Sequence, residues 1–161
     1  MHNPVNANHS DTTIKKVLFL CVHNSARSQM AEALFNYHAA GKAKASSAGT
    51  QPASHTDRTV IAAMREKGID ISAQRPEVLT PKMLKDADKV VTMGCEVEGV
   101  CPATFVSTED WQLEDPEGKS LEEVREIRDD IEARVRKLIK GILHQNNCQE
   151  KKCPLINQED G

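Results

Sequence analysis

A run of six apolar residues, Val17-Leu18-Phe19-Leu20-Cys21-Val22, follows Lys15-Lys16 and passes directly into His23-Asn24-Ser25-Ala26-Arg27-Ser28. The run is of strand length and far too short to cross a bilayer. A strand apolar on both faces belongs inside a sheet covered on both sides, which means a parallel sheet served by crossover helices. His23-Asn24-Ser25 supply turn residues, and Met30, Ala31, Leu34 and Tyr37 then recur at helical spacing up to Gly41. The opening unit is therefore strand, tight loop, helix.

The remaining pattern extends this unit. Ala43 to Ser47 reads as a second strand, followed by the loop Gly49-Thr50-Gln51-Pro52. Thr59 to Lys67 reads as a helix stopped by Gly68, and Thr80-Pro81 as an N-cap and first helical residue opening a short helix toward Lys85. Lys89 to Met93 is a third strand, and Phe105-Val106 a short fourth. Ser120 and Glu123 form a capping box ahead of Leu121, Val124, Ile127, Ile131, Val135, Leu138 and Ile142, whose steps of three and four define a long amphipathic helix. Strands alternating with helices give an α/β domain with ligands bound beyond the carboxyl ends of the strands, where Cys21 lies. The expected organisation is a loose arm over 1–13, one α/β domain over 14–145 and a polar, cysteine-containing tail over 146–161. No internal repeat interrupts it.

Composition narrows the function classes. At 161 residues the chain is one ordinary domain, able to bury a core without disulfides or metal. A formal charge of -3, with acidic and basic residues interleaved along the last helix, gives no footprint for nucleic acid or an anionic membrane surface. No pattern of a secretory leader is seen, so a cytoplasmic protein is expected, working as a monomer. Its five cysteines, Cys21, Cys95, Cys101, Cys148 and Cys153, are then reactive thiols or metal ligands rather than a disulfide framework.

Arg27 stands six residues after Cys21. Charged residues are about a quarter of average usage, so that offset alone arises by chance about one time in sixteen. The strand-loop-helix context makes it informative. Backbone N–H groups of Val22, His23, Asn24, Ser25, Ala26 and Arg27 can turn inward around a tetrahedral oxyanion, with the positive end of the helix behind them. The same field favours Cys21 as a nucleophilic thiolate. Arg27 can clamp two oxyanion oxygens with its planar fork, and Ser28 can donate its hydroxyl to the sulfur.

The segment Val17 to Leu34 resembles the phosphate-binding loop and first helix of the low-molecular-weight protein tyrosine phosphatase superfamily, and within it the thioredoxin-coupled arsenate reductases. The resemblance extends over most of Lys15 to Leu143, through Ser47-Ala48-Gly49, Val91-Thr92-Met93-Gly94-Cys95, Asp110-Trp111, Asp115-Pro116 and Ile127-Arg128-Asp129. It implies a four-stranded parallel sheet flanked by helices, in agreement with the pattern read above. It also makes Asp115 the acid that protonates a leaving oxygen, because hydroxide or alkoxide is otherwise a poor leaving group. Cys95 and Cys101 match the family's redox pair, which implies arsenate as substrate and thioredoxin as reductant. No cofactor and no metal is expected, since Arg75 stands where the potassium-binding relatives would need an oxygen ligand.

Other readings stay open on the sequence. A phosphatase of this fold needs no thiol beyond Cys21, although the Glu117-Gly118 that follows Asp115-Pro116 lacks the tyrosines common in those enzymes. A non-catalytic sensor could bind arsenite or zinc through the cysteines alone. Zinc held by Cys95, Cys101, Cys148 and Cys153 has the donor number for a tetrahedral site but not the usual tight spacing. Ala26 replaces a cysteine found in some relatives, and Cys148 and Cys153 have no counterpart in the family.

Overall fold

The structure, a computed structural model, describes residues 14–94 and 107–150, the side chains of 107 and 145–150 excepted. Its elements are β1 (Lys15–Cys21), α1 (Arg27–Ala39), β2 (Ala43–Gly49), α2 (Arg58–Arg65), α3 (Pro81–Asp86), β3 (Lys89–Thr92), β4 (Ser107–Asp110) and α4 (Leu121–Glu150). The four strands form one sheet in the order β2-β1-β3-β4, every pair parallel. This is the four-stranded, helix-flanked α/β fold expected from the sequence.

The apolar run explains the layering. Side chains alternate across a strand, so Val17 and Phe19 of β1 face one side and Leu18 and Leu20 the other. Val17 and Phe19 join Val91 beneath α1, α2 and α4 in the larger core, where Phe19 meets Phe35 edge-on at 6.0 Å and Trp111 at 5.6 Å between ring centroids. Leu18 and Leu20 join Ala48 and Val90 in a smaller core covered by Leu79, Met83 and Leu84. The central strand is buried on both faces because each face has its own cover.

Local signals hold at most boundaries. Thr80 accepts from the Met83 N–H at 3.3 Å with Pro81 in the first turn, and Gly68 takes a positive φ after α2. Ser120 and Glu123 exchange the two bonds of a capping box, Ser120 N–H to Glu123 at 2.9 Å and Glu123 N–H to the Ser120 hydroxyl at 3.3 Å. Arg128, buried on α4, ties α2 to α4 by donating to the Ala63 carbonyl at 2.7 Å and to Glu66 at 3.1 Å.

Two boundaries differ from the sequence pattern. The described fourth strand is the polar Ser107–Asp110, while Phe105 and Val106 lie outside the described residues. An edge strand needs backbone pairing on one side alone, and polar side chains support this one: Thr92 donates to Asp110 at 2.8 Å and Lys89 pairs with Glu109 at 2.9 Å. Helix α4 runs through Gln145 to Glu150, so the start of the expected tail is helical and carries the backbone of Cys148. No helix among the described residues is long and apolar enough to cross a membrane.

Candidate active site

The loop between β1 and α1 is shaped from outside. The carbonyls of Val22, His23 and Ser25 accept from the N–H groups of Gln51, Ala53 and Asp57, each at 2.9 Å. Peptide N–H and C=O point opposite ways, so pinning these carbonyls outward turns the next N–H groups inward, as an anion-binding nest requires. Gly49, paired with Cys21 at the end of β2, permits this packing: a Cβ there would come within 2.6 Å of the Val22 oxygen and 2.9 Å of the Asn24 Cβ. Asn24 takes a left-handed φ of 49°, a conformation asparagine tolerates better than most residues. Ala26 offers no side-chain cap to α1, whose first turn faces the loop.

Cys21 ends β1 at the floor of this loop. Its Sγ lies 2.8 Å from the Ser28 Oγ and accepts from the Asn24 N–H at 3.1 Å. The direction of the first bond follows from its neighbours. Asn24 Oδ1 accepts from the Glu77 N–H at 2.8 Å, which leaves Nδ2 to donate to Ser28 Oγ at 2.7 Å. Ser28 thereby accepts a hydrogen bond from Asn24 and donates its own to Cys21. Two donors therefore converge on the sulfur. Asn24 and Ser28 are both fully buried, which keeps this chain of bonds out of competition with water.

A cavity of about 340 Å³ opens over the sulfur, lined by Cys21, Val22, His23, Ser25, Ala26, Arg27, Gly94, Leu113, Asp115 and Glu117. Arg27 reaches across it from α1, donating to the Leu113 carbonyl at 3.0 Å and lying 3.8 Å from the Asp115 carboxylate. The arginine thus joins the anion loop to the acidic loop. The Asp115 side chain is half exposed, and its other oxygen accepts from the Glu117 N–H at 3.0 Å. Gly94 follows β3 with a φ of 74°, and a Cβ there would meet Arg27 Nη1 at 2.9 Å. A side chain at 94 would displace the guanidinium, so both the space and the backbone angle call for glycine.

Of the residues singled out in the sequence, Cys21, Arg27, Ser28, Asp115 and the loop Val22 to Ala26 are gathered in and immediately behind this cavity. Cys95 and Cys101 lie outside the described residues, as does Cys153, and the Cys148 side chain is likewise not described. Gly94, immediately before Cys95, is part of the cavity wall. Among the described residues no group of three or more His, Cys, Asp or Glu could hold a metal ion.

Not every contributor carries a sequence signal of its own. Gly94 and Gly49 could have been suspected as glycines closing strands, but Leu113 contributes only its backbone oxygen to Arg27. Behind the loop lies a polar layer of buried Gln29 and Ser47 and half-buried Glu32 and Gln74. Glu32 accepts from Ser47 at 3.0 Å and Gln74 at 3.2 Å. Burial, reinforced by nearby Glu77, lifts its carboxyl to about 7 against the opposing Ser47 hydrogen bond and the Lys44 charge.

The sequence profile of the low molecular weight phosphotyrosine protein phosphatase family matches residues 16–149. The chain belongs to this family. A glutaredoxin arsenate reductase from Synechocystis is 43% identical over 133 residues, covering 80% of this chain and 99% of that protein. A putative arsenate reductase from Halobacterium salinarum is 40% identical over 122 residues, covering 73% and 85%. Among solved structures, an arsenate reductase in a phosphate-binding state superposes with a TM-score of 0.74 at 42% identity, covering 80% of this chain and 99% of that one. A thioredoxin-dependent arsenate reductase from Corynebacterium glutamicum gives 0.69 at 36% identity, covering 82% of this chain. This chain spans 63% of that protein's length. The fold is shared with an arginine phosphatase from Geobacillus stearothermophilus, 26% identical with a TM-score of 0.73, covering 85% and 97%.

Proposed function

We propose that this protein is an arsenate reductase that reduces arsenate to arsenite with Cys21 as nucleophile and Cys95 and Cys101 as a redox pair renewed by thioredoxin. The observation that carries the reading is the convergence of Cys21, Arg27 and Asp115 on one cavity whose wall includes Gly94, the residue before Cys95. Arsenate sits in the nest of inward N–H groups, with Arg27 on two of its oxygens. The Cys21 thiolate attacks arsenic, and an arsenate hydroxyl leaves as water with the proton that Asp115 supplies. Cys95 then attacks the Cys21 sulfur. A Cys21–Cys95 disulfide forms, the S–As bond breaks, and arsenite departs with the electron pair. Cys101 attacks Cys95 in turn, freeing the Cys21 thiolate and leaving a Cys95–Cys101 disulfide for an external dithiol. Every group used up to that disulfide comes from one chain, which supports a monomer as the working unit.

Relatives named for thioredoxin and for glutaredoxin are both similar to this chain, so the reductant is tested by reconstitution with each. A second reading, hydrolysis of a phosphate ester, uses the same Cys21, Arg27 and Asp115 and stops at water attack on a phosphocysteine. A variant beyond the shared first step separates the two. Cys101→Ser should release one arsenite per chain and stop with a Cys21–Cys95 disulfide visible by peptide mapping. Repeated turnover with thioredoxin, or an unoxidised Cys95, would refute the cascade. A sensor needs thiols alone and would retain its binding in Arg27 and Asp115 variants.

A further inference from the structure

Gln29 lies in the first turn of α1, is 1% exposed, and is not used by the steps above. Its Nε2 donates to the Asn24 carbonyl at 3.0 Å, to Asn24 Oδ1 at 3.3 Å and to the Arg75 carbonyl at 3.2 Å. Three surrounding acceptors fix which end of the amide is nitrogen. The other end, Oε1, is buried without a hydrogen-bond partner. An amide kept in place although one end is unsatisfied points to a need for its N–H groups, since an apolar side chain of that shape would avoid the unpaired oxygen.

We infer that Gln29 is a positioning residue for the thiol reaction, its buried amide holding Asn24 so that Ser28 is left to donate to the Cys21 sulfur. Asn24 is held at both ends. The Glu77 N–H and Gln29 Nε2 take Oδ1, and Gln29 also grips the backbone carbonyl of the same left-handed residue. The Arg75 carbonyl on Gln29 ties the chain segment that brings in Glu77 to the same point. Remove the Gln29 donors and Asn24 loses the contact that holds its peptide and its side chain together. Its Nδ2 then no longer meets Ser28 at a fixed place, and the Ser28 proton is free to turn elsewhere. Gln29 touches neither the cavity nor the sulfur; it acts through Asn24 and Ser28.

The inference rests on Cys21 as the attacking thiolate, yet its test needs no arsenate. The rate of Cys21 alkylation by iodoacetamide is measured against pH, with the Cys21 peptide quantified by mass spectrometry so that the other four thiols do not interfere. His23, Arg27, Asp115 and Glu117, the titratable and charged groups that share the cavity with Cys21, are left unchanged. In Gln29→Met the half-maximal pH should rise by about one unit, so that alkylation on the acid side falls about tenfold. In a Ser28→Ala background the same substitution should add nothing. Gln29→Glu, which keeps the shape but when ionised offers no donor, should move the profile in the same direction and covers the case in which the methionine variant does not fold. An unchanged profile in a folded Gln29 variant, or an equal shift with and without Ser28, overturns the inference. Loss of arsenate turnover in wild-type protein with the alkylation shift intact would instead strike the functional reading alone.

Discussion

Arg27 and Cys21 do different work in the cavity, and their substitutions separate accordingly. Cys21→Ser replaces a polarisable sulfur with a hydroxyl that is not ionised at neutral pH, so arsenate reduction and any aryl phosphate hydrolysis should fall together below detection. Arg27→Lys keeps the charge but cannot span the Leu113 carbonyl, the Asp115 carboxylate and an oxyanion at once. With the bidentate clamp gone, kcat/KM for arsenate should drop at least about a hundredfold, a loss of about 3 kcal/mol. Steady-state kinetics checks both, and near-normal rates in either variant would remove that residue from its role. At this scale the sequence was informative where chemistry is local. Cys21, Arg27 and Ser28 sit within eight residues, and the loop geometry follows from their spacing. Gln29 was silent because its partner Arg75 is 46 residues away, and a buried glutamine in a helix has no pattern that distinguishes it from a surface one.

The elements divide on the same principle. β1, α1 and α4 announce themselves because their signals, a two-faced apolar run and a capping box with a long apolar stripe, are complete within one segment. β4 does not, since Ser107–Asp110 is polar and is held by pairing to β3 through Thr92 and Lys89. The stretch between α2 and α3 offered no helix or strand pattern. Its value lies in delivering the Glu77 N–H to Asn24 and pairing Val78 with Gly49, contacts made across the fold. At the far end, the apolar stripe of α4 is buried as far as Ile142. Residues 151–161 follow it with few apolar side chains to offset the entropy of ordering them. Truncation after Glu150 should therefore leave thioredoxin-coupled turnover unchanged and Tm within about 2 °C, a shift smaller than about 1 kcal/mol would give. Metal analysis of the two forms completes the test. Stoichiometric zinc lost on truncation, with a fall in Tm, would assign the downstream cysteines to a structural site and remove Cys95 and Cys101 from redox chemistry.

Across the whole molecule, one buried carboxyl links the layers that frame the site. Glu32 projects from α1, accepts from Ser47 of β2 and from Gln74 in the stretch leading to Glu77, and so ties the helix, the sheet and the segment that supports Asn24. Burial raises its carboxyl from the ordinary 4.5 to about 7, with Glu77 adding to the effect and Ser47 and Lys44 opposing it. The consequence for stability has a definite sign. Folding favours the protonated form, so this contribution is fully present below about pH 4.5 and is lost as the pH rises through 7. Once the carboxyl is ionised in both states, the loss amounts to about 3 kcal/mol, a large share of what a domain of this size has to spare. Glu32→Gln removes the titration while retaining a side chain that can accept from Ser47. Denaturant unfolding of both proteins between pH 5 and about pH 8 should show wild type losing stability relative to the variant as the pH rises, with the steepest change midway between 4.5 and 7 and a levelling-off above neutrality. Parallel pH curves for the two proteins would mean that Glu32 ionises as freely in the folded chain as in the unfolded one, and that the polar layer behind the anion loop is open to water.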